Sequence, residues 1–380
     1  MKFKKLKNYS NDALVQVYTK GDKESFNLGY ILKVTKKYLL LESVSSGGSL
    51  LDGYLFIPIN CISKIKDSSD YIDFYNQNIE YNRRVNAYDA YNMGIFRDTL
   101  SKFENENELF DYFVEEKHLL TVYTYDSDYK IVGELKKNKK KKLKLLDHFV
   151  ESEKPNKMSV KKKNIDMFQF DTNNYLWEQY LESKKGKKID KKTSSNQKKS
   201  NIFDPNQLVE LYRFDDNDRY FALGYVINTT KDYVLFEAIH PCGSLDSFEI
   251  FPYDIIKKAV FNSRYIDKLE YVVDTNKKNN LYDTHGLLKN KNTLLEMDSF
   301  DDVFHYCRLN NNTISLFIND SDNGFTGKIL SVENDVIEFL YYGNNIPPKD
   351  EDKKKITINK KEINFIDVFG IESTLLDNFS

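Results

Sequence analysis

Cysteine is almost missing from this chain. Cys61, Cys242 and Cys307 are the three in 380 residues. An odd, widely spaced set argues against a disulfide framework or a cysteine zinc site and fits a reducing cytoplasm. No run of about 18 apolar residues occurs, so no membrane-spanning helix is expected. The basic N-terminus, MKFKKLKNYSNDAL, lacks the apolar stretch of a secretory signal. Neither sign of charge is in excess: 56 Lys and Arg against 58 Asp and Glu leave a net charge of −2. Any pull toward nucleic acid or anionic lipid must therefore be local. Histidine is scarce, with no HExxH or paired spacing, so neither a metal centre nor a cofactor is expected.

What is present is aromatic, lysine-rich and duplicated. Apolar residues at 40% and charged residues at 30% suit a soluble globular chain, and the length suits two or three domains. The abundance of Lys, Asn, Tyr and Ile is also the mark of an AT-rich coding sequence. FNLGYILKVTKKYLLLESVSSGGSLLDGYLFIP, starting at Phe26, returns as FALGYVINTTKDYVLFEAIHPCGSLDSFEIFP, starting at Phe221. Gly29 matches Gly224, Tyr30 matches Tyr225, Glu42 matches Glu237, Pro58 matches Pro252 and Tyr88 matches Tyr282. Asp126-Ser127-Asp128 matches Asp320-Ser321-Asp322, and Gly133 matches Gly327. The near-constant offset marks a duplicated domain and not a short-period solenoid. Between the copies, residues 183–200 hold eight lysines and no aromatic, the composition of a solvated linker.

The expected fold is β-rich α+β. Copy one (1–182) reads as a small barrel over 12–66, helices over 67–117, a second barrel-like unit over 118–171 and a helix over 173–182. Copy two (201–380) reads as a barrel over 207–260, helices over 261–310 and a second barrel-like unit over 312–370. Short alternating runs broken by polar or glycine-rich turns give the strands, and Gly29 and Gly224 inside strands mark bends. Residues 14–65 and 208–260 resemble the Sm-like (Lsm) small-barrel family: a glycine in the second strand of FNLGYILKV, then YLLLESV, a Gly-rich turn, YLFIPI and CISKI. The resemblance implies the barrel, as a tandem repeat. The RNA-binding members carry Asp and Asn after the second strand and Arg-Gly near the fourth. Here those positions fall near Thr35 and Thr230 and near Tyr38 and Tyr233, and no Arg-Gly dipeptide occurs.

No catalytic constellation is shared by the copies. His240-Pro241-Cys242 aligns with Ser45-Ser46-Gly47, and neighbours on one loop rarely make a nucleophile and its base. The Asp-Ser-Asp repeats read as turns in which the side chains bond their own backbone. The turns at Gly48, Ser49, Gly243 and Ser244 are candidates for cradling a ligand anion with backbone amides. The run from Lys136 to Lys144, seven lysines in nine positions, reads as a hairpin tip, with Lys137, Lys139, Lys140, Lys141 and Lys142 as candidate phosphate contacts. The expected function is a non-enzymatic binding or adaptor protein, cytoplasmic, with a protein or small-ligand partner and no membrane. The alternative is binding of RNA or single-stranded DNA through the lysine-rich loops.

Overall fold

The computed structural model describes residues 12–20, 25–45, 49–125, 127–147, 156–184, 204, 206–213, 221–230, 233–318, 324–343, 348 and 350–379, with Leu6, Tyr9, Asn196 and Gln197. Gly48, Asp126, the Asp320-Ser321-Asp322 triplet and most of the 183–200 linker lie outside them. The chain forms two compact units, Met1–Lys187 and Lys188–Ser380. No helix among the described residues is long and apolar enough to cross a membrane.

In unit one the first half supplies β1 (Leu14–Thr19), β2 (Asn27–Val34), β3 (Tyr38–Val44), β4 (Leu51–Pro58) and β5 (Ile62–Lys66). Three helices follow: α1 (Asp70–Arg84), α2 (Arg97–Lys102) and α3 (Glu106–Glu116). The second half supplies β6 (Leu119–Thr124), β7 (Ser127–Lys139), β8 (Lys142–Asp147), β9 (Asn156–Lys161), β10 (Ile165–Asp171) and α4 (Thr172–Ser183). Unit two repeats this. It begins with the two-residue β11 (Asn196–Gln197), then β12 (Leu208–Arg213), β13 (Phe221–Thr229), β14 (Tyr233–Ile239), β15 (Leu245–Pro252) and β16 (Ile256–Val260). After α5 (Arg264–Lys278), α6 (Lys291–Leu295) and α7 (Phe300–Leu309) come β17 (Thr313–Ile318), β18 (Phe325–Val332), β19 (Val336–Tyr341), β20 (Lys354–Asn359), β21 (Ile363–Val368) and α8 (Ile371–Phe379).

The two barrel-like halves of each copy are one sheet. Its order in unit one is β5-β1-β2-β3-β4-β10-β6-β7-β8-β9; unit two has the same order with β11 added outside β16. Each half runs fifth, first, second, third, fourth strand, and it does not close. The free edge of β4 is taken by β10, with Phe168 opposite Phe56 and Phe170 opposite Tyr54. The matching seam in unit two sets Phe248 opposite Val368 and Glu249 opposite Asp367. A glycine makes the first seam fit: a Cβ on Gly53 would lie 2.3 Å from the carbonyl oxygen of Phe170.

The second strand of every half carries one glycine, Gly29, Gly133, Gly224 or Gly327. In each, a Cβ would lie 2.0–2.5 Å from a carbonyl oxygen of the third strand, far inside contact distance. A register shift follows two residues on, at Ile31/Lys33, Leu135/Lys137, Val226/Asn228 and Ile329/Ser331. Close approach and bulge together let the strand bend sharply. The geometry thus repeats four times, twice within each copy.

The central third strand is buried along its whole length in the first half of each unit, in β3 and in β14. One face of the unit-one sheet packs Val15, Val17, Ile31, Leu39, Leu41, Leu55 and Ile57 against each other. The other face meets the helices. Phe56 stacks on Phe168 across the seam at 4.6 Å and meets Phe113 of α3 edge-on at 6.0 Å. Full burial of one such ring contributes roughly 1.5–3 kcal/mol. The helices start where the sequence offers caps: Ser69 and Ser263 accept from Ile72 N and Ile266 N. Ser299 and Asp302 close a reciprocal capping box.

Candidate anion-binding face

The lysine run spans the end of the β7–β8 hairpin, and most of it lies in the strands. The sheet continues through it: β7 reaches Lys139, a two-residue turn holds Lys140 and Lys141, and β8 starts at Lys142. Leu135, Leu143 and Leu145 set the register because they are buried on the inner face. That leaves the alternate positions outward. Lys137 lies opposite Lys144, and Lys139 opposite Lys142. The edge strand β9, absent from the sequence expectation, extends the face: Lys161 lies opposite Lys142, Ser159 opposite Lys144 and Lys157 opposite Leu146. Directly opposed residues share one face, so Lys137, Lys139, Lys142, Lys144, Lys157 and Lys161 form one outward array, all exposed.

Like charges directly opposite destabilise a strand pair. Here two lysine–lysine pairs stand side by side on β7 and β8, and β9 adds a third lysine to one row. Among the described residues no carboxylate pairs with these six ammonium groups; the nearby Lys136 is the one that meets Glu134. Rows lie about 4.8 Å apart across the strands and about 7 Å apart along them, a lattice of separate positive points. No arginine lies in β7, β8 or β9, and no aromatic lies in β8 or β9. The face therefore offers charge to phosphates without planar forks for base edges. Its outer two strands offer no ring on which a base stacks.

Unit two is an internal control. The positions of Lys137, Lys142, Lys144 and Lys161 are held there by Ser331, Val336, Glu338 and Asn359 on β18, β19 and β20, while that of Lys157 keeps a lysine, Lys355. The Ser331 hydroxyl donates to Glu338. The same strand architecture exists without the lysine lattice, so the lattice is not a requirement of the fold.

The proposed turn sites lie elsewhere. Ser49, Gly243 and Ser244 are buried beside the first long helix of each unit. Asn82 Nδ2 donates to the Ser49 carbonyl at 3.1 Å, and Asn276 Nδ2 to that of Cys242 at 2.9 Å. The Gly243 amide donates to His240 O at 2.7 Å, so the turn's groups are used within the fold. His240 Nδ1 accepts from the Cys242 amide, a backbone contact. Among the described residues no group of three His, Cys, Asp or Glu side chains is placed to hold a metal ion.

A second constellation is shared by both copies. Buried Glu42 accepts from Tyr88 Oη at 3.3 Å and pairs with Arg97 Nη1 at 3.3 Å, and Arg97 also reaches Asp12. Arg83 lies over the rings of Tyr30 and Tyr88. In unit two, buried Glu237 accepts from Tyr282 Oη and pairs with Lys291 Nζ at 2.6 Å, with Lys277 over Tyr225 and Tyr282. Glu42 is pushed above its ordinary value by burial, against the pull of Arg97. The arrangement clamps the helical segment onto β3 and β14. Arg97→Met is expected to cost about 1–2 kcal/mol at neutral pH, less than a fully buried pair because Arg97 stays 40% exposed. Acid must shrink the loss, because protonated Glu42 no longer needs the cation. Urea melts of both proteins at pH 5 and 7.5 check this.

No family model matches the chain, and no curated protein matches it. Among solved structures, that of YcgR in complex with c-di-GMP from Escherichia coli aligns with 45% of this chain and 88% of its own. The identity is 8% and the TM-score 0.12, a likeness too slight to carry an argument.

Proposed function

We propose that the protein is a non-enzymatic binding protein that holds the phosphate backbone of nucleic acid on the lysine face of unit one. The observation that carries this is the lattice of six exposed, unpaired lysines on three adjoining strands, set against a unit-two sheet of the same design without it. A charge lattice kept at a cost to strand pairing is accounted for if a polyanion relieves the repulsion. This reading favours the nucleic-acid alternative among the sequence expectations and extends its lysine site from the hairpin tip onto the strands. Unit two, lacking the lattice, is the adaptor half. The Sm-like reading of each five-stranded half belongs to the same proposal; what supports it is the glycine and bulge in each second strand.

The test is a panel of labelled RNA and DNA oligonucleotides of unrelated sequence. Affinities within about threefold of one another are expected, because single base contacts of about 1–3 kcal/mol are missing from the face. A preference above about a hundredfold for one sequence contradicts phosphate-only recognition, and no binding to any contradicts the proposal altogether.

A further inference from the structure

Carboxylates collect at the seam of both units. In unit one, Asp52 of β4 accepts from Gln169 Nε2 at 3.1 Å, and Tyr123 Oη of β6 donates to Gln169 Oε1 at 3.4 Å. One residue beyond the Gly53–Asp171 pair, Asp52 also feels the Asp171 carboxylate. Asp171 itself is engaged, capping Asn174 N at 2.7 Å and accepting from Thr121 Oγ1 at 3.3 Å. Among the described residues the cation acting on Asp52 is Lys130 of β7. In unit two the position opposite Glu249 is Asp367, so two carboxylates face each other across neighbouring central strands. Unit one sets Leu55 opposite Gln169 there. Asp246 of β15 and Glu372 of α8 add two more, and Asp367 Oδ1 lies beside Gly370 close to Ser247. Arg213 of β12 answers Glu249 at 3.1 Å, and His240 lies within reach of Asp246.

Burial and mutual repulsion act in one direction. Asp52 is pushed up to about 8, mainly by burial and then by Asp171. Burial also raises Asp246, Glu249 and Asp367, the last further raised by Glu249 and Asp246. A carboxyl raised in the folded state above its unfolded value of about 3.9 gives stability that is complete below that value. The stability is lost as pH rises through the folded value.

We propose that the β4/β10 and β15/β21 seams are proton-dependent joints, each holding its two half-sheets tightly while its carboxyls keep their protons and loosening as they ionise. Along each sheet the half-sheets are hydrogen-bonded at this line, while Thr19 bonded to Asp166 and Phe365 in the first-half core tie them further, so the loosening is local to the seam strands. The unit-two seam, with more carboxylates, responds more steeply.

Hydrogen exchange of the whole chain between pH 6 and 9, each rate divided by the intrinsic rate at that pH, tests this. Seam protection in residues 51–58 and 165–171 is expected to fall about tenfold per pH unit up to the Asp52 titration and to level off above it. Residues 245–252 and 363–368 are expected to fall at least as far. The β2/β3 and β13/β14 hairpins are the controls. Asp52→Asn flattens the response in unit one alone, and Asp367→Gln, which copies unit one, weakens it in unit two alone. Controls that fall in parallel with the seams, or variants that follow the wild-type course, overturn the proposal. Should a variant not fold, carboxyl carbon NMR of the wild type decides: Asp52 and Asp367 titrating near 4 overturns it, and titration well above supports it.

Discussion

Gly224→Val is expected to destabilise unit two by about 3 kcal/mol or more, at the upper end of overpacking penalties. The Cβ would fall 2.0 Å from the Glu237 carbonyl oxygen and 3.1 Å from Ala238 Cα, both backbone atoms of β14. Neither can move without breaking the ladder that joins β13 to β14. Glu237 is also the residue that pairs with Lys291 and Tyr282, so a displaced β14 strains that clamp too. For a unit of this size the melting midpoint drops by roughly 6–12 °C. Calorimetry gives the total, and hydrogen exchange should place the loss in unit two. An unchanged midpoint would mean that the second strand does not approach the third as described.

Replacing Lys139, Lys142, Lys144 and Lys161 together with glutamine is expected to weaken nucleic-acid binding about 10²–10³-fold at physiological salt, from the loss of four phosphate contacts. Stability should move the other way. The Lys139–Lys142–Lys161 row and the Lys137–Lys144 pair lose their mutual repulsion, each pair contributing a few tenths of a kcal/mol. Opposite signs for binding and stability distinguish a functional lattice from one that merely decorates the sheet. Fluorescence anisotropy and urea melts on the same preparation give both numbers.

Local pattern made much of the first half of each copy legible. Alternating apolar runs between polar or glycine-rich turns are what mark β1, β2 and β3. The seam was not legible, because β4 and β10 are separated by more than a hundred residues and nothing in either names its partner. Barrels were the expectation because short strands at regular spacing, with a bending glycine in the second, fit one, and neither signal shows that β4 pairs with β10 instead. Strand β9 was missed because Asn156–Lys161 has only Met158 and Val160 as apolar marks, as suits an edge strand protected by charge. The lysine run hid its own periodicity. With lysines at consecutive positions, only Leu135, Leu143 and Leu145 reveal which of them face outward, so Lys144, Lys157 and Lys161 join the site only once the register is known.

The most direct test of the phosphate-binding reading is the salt dependence of binding by the wild-type chain to a labelled single strand, from about 50 to about 200 mM salt. Six phosphate contacts predict a slope of log K against log salt near −4 for a single strand and somewhat steeper for a duplex. A slope near that value, lost in the four-lysine variant, is the result the lysine face requires. Binding that is absent, or that ignores salt, would contradict it.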